Sequence, residues 1–245
     1  MGWKNATDAN VRLAADRGLH FLRVGANAGD GALAAGAVGR VKASGMKCRY
    51  SLMKGYILSP KDLAAESAVL AKAGLDEITI MDSAGTMMPE EVREYVAALV
   101  KAVDIPVAFH GHNNLRLSVA NAIAAADAGA SVLDTGLMGM ARSAGNLSTE
   151  GAVAAFRKLG KLEDVDLIGL LHFIDDKLAP AMEKHGYSCP IKPVDIVYGY
   201  AGCHSSFASR FEAAAKEKNV DLYRLIIEVS KLDRKAPSPE LIAKT

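Results

Sequence analysis

Short apolar segments alternate with helical segments along the first 160 residues, and this alternation limits the possible folds more than any other feature. Each apolar segment is roughly four to seven residues long, which is typical of strands buried on both faces of a parallel sheet. The predicted strands are Phe21–Val24, Lys47–Met53, Glu77–Met81, Pro106–Phe109 and Ser131–Asp134. Glycines end several of the helices between them, so the pattern predicts about five βαβ units.

Polar residues gather directly after the predicted strands, at Asn27, at Asp82–Ser83 and at His110–His112. Such residues form the catalytic face of a (β/α)8 barrel, and they line the ligand crevice of a doubly wound sheet. No G-x-G-x-x-G sequence opens any of the helices, which favours the barrel. The sequence therefore predicts an α/β fold of the (β/α)8 TIM-barrel type that is incomplete by about three strands.

The pattern changes after Gly160, where the predicted strands give way to helices. Helices are predicted over Val165–Gly186, Ser205–Lys218 and Leu222–Val229, with a loop at Ser188–Pro193. Two domains are therefore expected: a partial barrel over residues 1–160 and a helical module over residues 161–245.

Charge and cysteine content exclude several classes of protein. Lysine and arginine number 29 against 28 acidic residues, so the excess of basic charge expected of a nucleic-acid binder is missing. No apolar run is long enough to cross a bilayer, and the N-terminus has no apolar core of a signal peptide. Three scattered cysteines argue against a disulfide framework. These features predict a cytoplasmic protein without nucleic-acid or membrane partners.

His110 and His112 are the strongest candidates for a metal site. Alternate residues on an extended strand point to the same side, so two imidazoles at this spacing can converge on one cation. The alternative is a pair of ordinary histidines, one satisfied in the core and one in solvent. The apolar strand before the pair and Asn113–Asn114 after it favour the metal site.

Two further segments can have either a functional role or a purely structural one. Asp82 and Ser83 end a predicted strand. In one interpretation the Ser83 hydroxyl binds a carboxylate and Asp82 supports a ligand or an arginine; in the other Asp82 is a helix-capping or turn residue. The segment Gly136–Asn146 is either a flexible connection or a backbone cradle in which Asn146 offers a carbonyl oxygen.

The segment Tyr198–Phe207 is rich in polar and aromatic side chains. Its His204 is a candidate acid or base, because imidazole titrates near neutral pH. A loop that starts a helix and packs on the barrel explains the segment equally well. The remaining histidines, His20, His172 and His185, have no comparable surroundings and are expected to be structural or exposed.

Four of these segments together resemble the 4-hydroxy-2-oxovalerate aldolases, which belong to a larger group of metal-dependent aldolases and acyl-CoA lyases. Residues 110–121 are similar to the family's H-x-H-x-N-L…A-N segment, and residues 82–85 to its D-S-x-G strand end. Residues 139–146 resemble its G-x-G-x-G-N loop, although Met140, Arg142 and Ser143 differ. Residues 199–207 resemble G-Y-A-G-x-x-S-S-F, and the four motifs follow the family order.

The resemblance implies a (β/α)8 enzyme that cleaves 4-hydroxy-2-oxo acids to pyruvate and an aldehyde with a divalent metal, typically Mn²⁺, with Mg²⁺ or Co²⁺ as alternatives. It implies that His110, His112 and Asn146 are metal ligands. Ser83 is implied to bind the carboxylate of the 2-oxo acid. We also expect His110 and His204 to bind the substrate, and His204 is the candidate catalytic residue because of its imidazole chemistry. A metal chelated by the 2-oxo acid would stabilise the developing enolate.

The chain departs from the family pattern in three places. The family begins with a T-L-R-D-G strand end that supplies a third metal ligand and an arginine, and this motif is absent. Arg12 and Asp16 offer these residue types on a predicted helix and do not match. His204 stands where the family has a tyrosine, and the C-terminal module ends early. We therefore expect a chain that is truncated at its N-terminus relative to the family.

Three functional hypotheses follow from the resemblance. The first is a carbon–carbon lyase of aromatic hydrocarbon catabolism with the third metal ligand supplied from elsewhere. The second is a catalytically weak remnant or scaffold that binds an acetaldehyde dehydrogenase partner. The third is a lyase or synthase acting on acyl-CoA, which the lack of a cysteine in Gly136–Asn146 disfavours. Because an incomplete barrel exposes sheet edges that tend to pair with another chain, we also expect a homo-oligomer.

Overall fold

A single five-stranded parallel sheet organises the N-terminal part of the chain in the computed structural model, which describes residues 1–187 and 193–245. The spatial order is β1-β2-β3-β4-β5, the same as the chain order, as expected when each crossover is a βα unit with one hand. The strands are β1 (Phe21–Asn27), β2 (Lys47–Met53), β3 (Glu77–Asp82), β4 (Val107–Gly111) and β5 (Val132–Leu133). All five predicted strands and the α/β barrel-type fold class are thus confirmed.

Helices follow the strands and then fill the C-terminal part of the chain. Those before residue 160 are α1 (Asp8–Asp16), α2 (Gly31–Ala43), α3 (Pro60–Lys72), α4 (Pro89–Ala102), α5 (Ser118–Asp127) and α6 (Thr149–Lys158). The later ones are α7 (Leu167–Phe173), α8 (Ala179–Lys184), α9 (Pro193–Ala201), α10 (Ala208–Lys218), α11 (Leu222–Leu232) and α12 (Pro239–Lys244). No helix within the described residues is long and apolar enough to cross a membrane.

Helix starts follow the capping signals in the sequence. At α3, the Ser59 side chain accepts a hydrogen bond from the Asp62 N–H, and Pro60 occupies the first turn, where its missing N–H costs nothing. Helix α5 begins only at Ser118, because a turn closed by a hydrogen bond from the Arg116 N–H to the Asn113 carbonyl precedes it.

The single helix predicted from Val165 to Gly186 is present as a continuous helical run from Leu167 to Lys184, in which a π-helical turn over Ile174–Leu178 lies between α7 and α8. Helix α9 was not predicted. Tyr198–Ala201, for which a loop was one of two interpretations, form its last part. The predicted loop Ser188–Pro193 falls largely outside the described residues.

Two compact units are defined by the contacts along the chain. The sheet unit comprises Met1–Ser83, Met87–His110 and Ala124–Leu133, and the C-terminal unit comprises Ala84–Thr86, Gly111–Ile123 and Asp134–Thr245. The core of the C-terminal unit is an apolar cluster built on α9 to α12, with Tyr198, Phe211 and Ile226 among its most buried members. The division into domains at residue 160 stays a prediction.

The outer edge of β1 is partly paired by the first two residues of the chain. The Met1 ammonium donates to the Arg23 carbonyl at 2.5 Å, and the Gly25 N–H donates to the Met1 carbonyl at 3.0 Å. Gly2 and Gly25 form a parallel bridge. A short strand-like segment therefore occupies part of the edge that the sequence alone left open.

Glu66 of α3 supplies the cap that helix α2 lacks. Asp30 precedes α2 but makes no capping hydrogen bond with its side chain. The Glu66 carboxylate instead accepts the N–H groups of Gly29 at 2.8 Å and Gly31 at 2.6 Å. A carboxylate at this position satisfies otherwise unpaired donors and interacts favourably with the helix dipole.

Replacing Glu66 by glutamine should therefore lower the free energy of unfolding by about 1–2 kcal/mol, because the charge at the helix N-terminus is lost. Urea unfolding followed by circular dichroism measures this change. The matched control is Glu94→Gln on the exposed face of α4, which should cost less than about 0.5 kcal/mol. Equal effects of the two substitutions would show that the interhelical cap contributes nothing.

Candidate active site

Ser83 lies in the sheet unit directly after β3, and its side chain is held by the backbone after β2. The Lys54 N–H donates to the Ser83 hydroxyl oxygen at 2.9 Å, and Ser83 is 7% exposed. A serine hydroxyl that accepts one hydrogen bond still has its own hydrogen to donate. The geometry is therefore compatible with the predicted binding of a carboxylate.

Asp82, the last residue of β3, shapes the turn that follows. It is fully buried, and one carboxylate oxygen accepts the Met87 N–H at 3.1 Å. Of the two interpretations of Asp82, this contact supports the turn residue, since the hydrogen bond closes the segment between β3 and α4.

His110 and His112 lie at the end of β4. His110 is within the strand and partly exposed, whereas His112 follows the strand and is 9% exposed. His112 belongs to the C-terminal unit, where it forms an antiparallel bridge with Asn146. The carboxamide oxygen of Asn146 is buried and makes no hydrogen bond. A buried acceptor without a donor is costly, which is a specific reason to expect a cation or a ligand at this atom.

The segment around Asn146 is a fixed structure rather than a flexible connection. The Asn113 N–H donates to the Gly145 carbonyl at 2.9 Å, and the Asn146 N–H donates to the Gly139 carbonyl at 3.0 Å. Gly139 has a φ of +62°, and a β-carbon there would lie 2.9 Å from the Asn146 carbonyl oxygen. This close approach requires glycine and fixes the backbone on which Asn146 sits.

A buried polar network that sequence reasoning missed lies behind this loop. Asn114 is 2% exposed, and its amide nitrogen donates to the Asp195 carbonyl at 2.8 Å and to the Ser143 hydroxyl at 3.1 Å. The Ser143 hydroxyl in turn donates to the Asp195 carboxylate at 2.7 Å. The network joins the segment after His112, the Asn146 loop and helix α9. The one sequence feature that could have indicated this network is Asp195, an acidic residue in the otherwise apolar helix α9.

His204 caps the short 3-10 turn over Ser205–Phe207, and its ring faces that of His112. The Ser206 N–H donates to His204 Nδ1 at 3.2 Å, and the Ser206 hydroxyl lies 2.7 Å from the same nitrogen. Because Nδ1 accepts a backbone N–H, the neutral ring carries its hydrogen on Nε2. The rings of His112 and His204 meet edge to face with their centroids 6.4 Å apart.

The donor atoms near His112 agree in type with a divalent transition metal, for which imidazole nitrogen and amide oxygen are suitable ligands. The unpartnered Asn146 oxygen beside His112 is the observation that supports such a site. No group of three histidine, cysteine, aspartate or glutamate side chains gathers anywhere in residues 1–187 and 193–245. Within this range, the protein therefore offers nitrogen and amide-oxygen ligands but no completing carboxylate.

Comparison with known proteins defines the class to which this arrangement belongs. The family model described as HMGL-like matches residues 31–175, and the chain belongs to this family. Its aldolases depend on a divalent metal. Among curated proteins, the 4-hydroxy-2-oxovalerate aldolase of Moorella thermoacetica is 34% identical over 92% of this chain. The oxaloacetate decarboxylase of Mycobacterium tuberculosis is 36% identical over 90% of it.

Solved structures agree on the fold. The carboxyl transferase domain of Rhizobium etli pyruvate carboxylase superposes with a TM-score of 0.81 at 16% identity, covering 98% of this chain and 43% of that one. The N-terminal domain of a Bacteroides vulgatus protein gives 0.71 at 23% identity, covering 93% of this chain and 70% of that one. These likenesses support the barrel-type fold alone.

The chain is shorter than its curated relatives. It spans 66% of the Moorella aldolase and 65% of both the Mycobacterium decarboxylase and an aldolase of Rhodococcus jostii, to which it is 34% identical over 92% of this chain. Because the chain covers less than two thirds of these relatives, we treat their enzymatic activity as a proposal for this chain.

Proposed function

We propose that this protein is a metal-dependent class II pyruvate aldolase that cleaves 4-hydroxy-2-oxo acids such as 4-hydroxy-2-oxovalerate. The main support is the buried carboxamide oxygen of Asn146, which has no hydrogen-bond partner, on a residue whose backbone pairs with that of His112. The ring of His204 meets that of His112 edge to face. Several 4-hydroxy-2-oxovalerate aldolases about one-third identical to the chain support the same reaction.

The proposed reaction is a retro-aldol cleavage. A base removes the hydrogen of the C4 hydroxyl, the C3–C4 bond breaks, and its electron pair moves into the C2 carbonyl to form the enolate of pyruvate. The aldehyde leaves, and a proton added at C3 completes pyruvate. No oxidant or reductant is needed, so the site has only to stabilise the enolate charge and transfer protons.

His110, His112 and Asn146 are the residues proposed to hold the metal, with Mn²⁺ the first candidate and Mg²⁺ and Co²⁺ the alternatives. When bound, the metal would supply a Lewis acid for the oxygens of the 2-oxo acid. Imidazole and amide ligands leave coordination positions for a substrate, as in catalytic metal sites generally.

The remaining site residues are proposed to handle the substrate. Ser83 would donate its hydroxyl hydrogen to the substrate carboxylate, while its oxygen is already held by the Lys54 N–H. His204 would act through Nε2, which carries the hydrogen of the neutral ring and so presents a donor to a substrate oxygen. His110 is proposed to contribute to substrate binding as well as to the metal.

A second candidate reaction is the decarboxylation of oxaloacetate, which the 36% identical decarboxylase relative favours. Loss of carbon dioxide from oxaloacetate leaves the same pyruvate enolate, so the same residues would serve both reactions. Two further alternatives remain. The protein is either a catalytically weak scaffold that binds an acetaldehyde dehydrogenase, or a lyase or synthase that acts on acyl-CoA substrates.

We make further proposals about the domains, the oligomeric state, the location and the metabolic role of the protein. Residues 1–160 would form the partial-barrel catalytic domain, and residues 161–245 a helical module that contributes His204 and contacts an acetaldehyde dehydrogenase. We also propose a homo-oligomer, a cytoplasmic location and a place in aromatic hydrocarbon catabolism. Size-exclusion chromatography with light scattering tests the oligomer, which a stable monomer would contradict.

The function is tested by the release of pyruvate from 4-hydroxy-2-oxovalerate, followed through lactate dehydrogenase and NADH. We expect turnover with added Mn²⁺ and its loss after chelation, with oxaloacetate assayed in parallel. No pyruvate above the protein-free control from either substrate would favour the scaffold. Pyruvate from oxaloacetate alone would favour the decarboxylase.

A further inference from the structure

Asp195 is a buried acid of helix α9 to which none of the roles described so far belongs. It is 6% exposed and is the only charged residue in the sequence of α9. Burying a carboxylate is costly unless hydrogen bonds compensate for its lost hydration. One of its oxygens accepts the Ser143 hydroxyl at 2.7 Å, which is a charge-assisted hydrogen bond. The helix thus uses a costly group to reach the loop over residues 139–146.

The backbone of Ser143 has a conformation that favours glycine. Its φ is +55°, in the left-handed region, where a side chain adds strain. Its hydroxyl, which a glycine would lack, donates to Asp195 and accepts the Asn114 amide N–H at 3.1 Å. A strained non-glycine residue close to a candidate site is a reason to infer a function for its side chain.

Asp195 joins the two segments that carry candidate metal ligands. Ser143 lies three residues before Asn146, and Asn114 lies two residues after His112. The carboxylate of Asp195 holds the first segment through Ser143, and its backbone carbonyl holds the second by accepting the Asn114 amide at 2.8 Å. All five residues belong to the C-terminal unit. The separation of the two candidate ligands therefore depends on contacts with a single residue of α9.

We propose that Asp195 is a positioning residue that holds the carboxamide oxygen of Asn146 in place for the divalent metal. It acts through Ser143 and Asn114 and contacts neither the metal nor the substrate. The inference rests on the proposed function, because it names what orients a ligand of that metal site. Loss of a group that orients a metal ligand typically lowers metal affinity by about 10–100-fold.

The test compares Asp195→Ala with Asp195→Asn, which keeps an oxygen that can accept the Ser143 hydroxyl. Mn²⁺ is the probe, and equilibrium dialysis measures its affinity. We expect Asp195→Ala to weaken Mn²⁺ binding by at least about tenfold, and Asp195→Asn to remain within about threefold of wild type. The matched control is Asp176→Ala, which removes an exposed acid between α7 and α8 and should bind Mn²⁺ as the wild type does.

The variant Asn146→Ala separates positioning from a general loss of packing. It removes the ligand through which Asp195 is proposed to act, so adding Asp195→Ala to it should weaken Mn²⁺ binding by less than about a further threefold. The visible absorption of bound Co²⁺ depends on the geometry of its ligands and should shift in Asp195→Ala. Full multiplication of the two single effects on affinity, or an unchanged Co²⁺ spectrum in Asp195→Ala, would overturn the inference.

The variant Ser143→Gly keeps the inference testable if Asp195→Ala does not fold. It removes the hydroxyl and also relieves the left-handed backbone, so its melting temperature should lie within a few degrees of wild type. The matched control is Leu162→Gly, which relieves the same strain at an exposed residue with a φ of +55°. We expect about tenfold weaker Mn²⁺ binding in Ser143→Gly alone. Wild-type affinity in Ser143→Gly would overturn the inference.

The assays of metal binding and pyruvate release distinguish this inference from the proposed function. Mn²⁺ binding that depends on Asp195 without pyruvate release would support the inference and count against the aldolase. Pyruvate release together with equal Mn²⁺ affinity in Asp195→Ala and wild type would overturn the inference alone. Failure of the wild type to bind Mn²⁺ would overturn both, since both require the metal.

Discussion

Replacing His112 by alanine is expected to remove divalent-metal binding and to lower the rate of pyruvate release by at least about 100-fold. His112 is proposed to be a metal ligand, and its backbone pairs with Asn146, the other ligand in the C-terminal unit. Its ring also contacts that of His204, so its loss removes a neighbour of the candidate proton donor. Equilibrium dialysis with Mn²⁺ and the coupled pyruvate assay measure the two effects.

The matched control for this substitution is His172→Ala, which removes an exposed histidine of α7. We expect the control to bind metal and release pyruvate as the wild type does. Retention of a full equivalent of Mn²⁺ by His112→Ala would contradict the assignment of His112 as a ligand. Thermal unfolding of both variants establishes that lost binding does not reflect lost folding.

Replacing Gly85 by alanine is expected to lower the free energy of unfolding by roughly 3–5 kcal/mol. Gly85 has a φ of +58°, and a β-carbon there would lie 2.6 Å from the Asn114 nitrogen and 2.8 Å from the His112 carbonyl oxygen. Both neighbours are backbone atoms, so neither can rotate away as a side chain can. The segment that carries His112 would have to move, and we expect metal binding to weaken as well.

The control Gly45→Ala separates the clash from the strained backbone. Gly45 also has a positive φ, +81°, but nothing lies within 4 Å of a β-carbon placed there. It should therefore cost only about 1 kcal/mol. Equal losses for the two variants in urea unfolding would mean that the close approach of Gly85 to residues 112–114 has no energetic weight.

The strands of the sheet could be predicted because each one depends on the apolar residues of a short segment and on the glycines and prolines beside it. Strand β2 was predicted over Lys47–Met53 and has these bounds, since an apolar segment between two glycine-ended helices admits few alternatives. The start of α3 at Pro60 also depends on neighbouring residues alone, since Ser59 caps it. The placement of Ser83, His110 and His112 at strand ends followed directly from the positions of the strands.

The other features of the site depend on contacts between residues that are far apart in the sequence. The hydrogen bond from Asn114 to Asp195 joins residues 81 positions apart, and no spacing rule relates them. Helix α9 was not predicted from the sequence, and a loop was one of two interpretations of its last residues, Tyr198–Ala201. Gly199 is instead needed where the helix meets Asn114, since a β-carbon would lie 2.8 Å from the Asn114 Cβ. The burial of the charged Asp195 side chain was not predicted, because burial is a tertiary property.

Hydrogen exchange at the pyruvate methyl group reports whether the protein forms the pyruvate enolate. The cleavage is reversible at this step, so the protein should remove a C3 proton from pyruvate and return a deuteron from D2O without any aldehyde present. With Mn²⁺ bound, we expect deuterium uptake, measured by mass spectrometry, well above that of a protein-free solution of the metal, and none in excess with His112→Ala. Uptake by the wild type equal to that of the metal alone would show that the protein does not form the enolate.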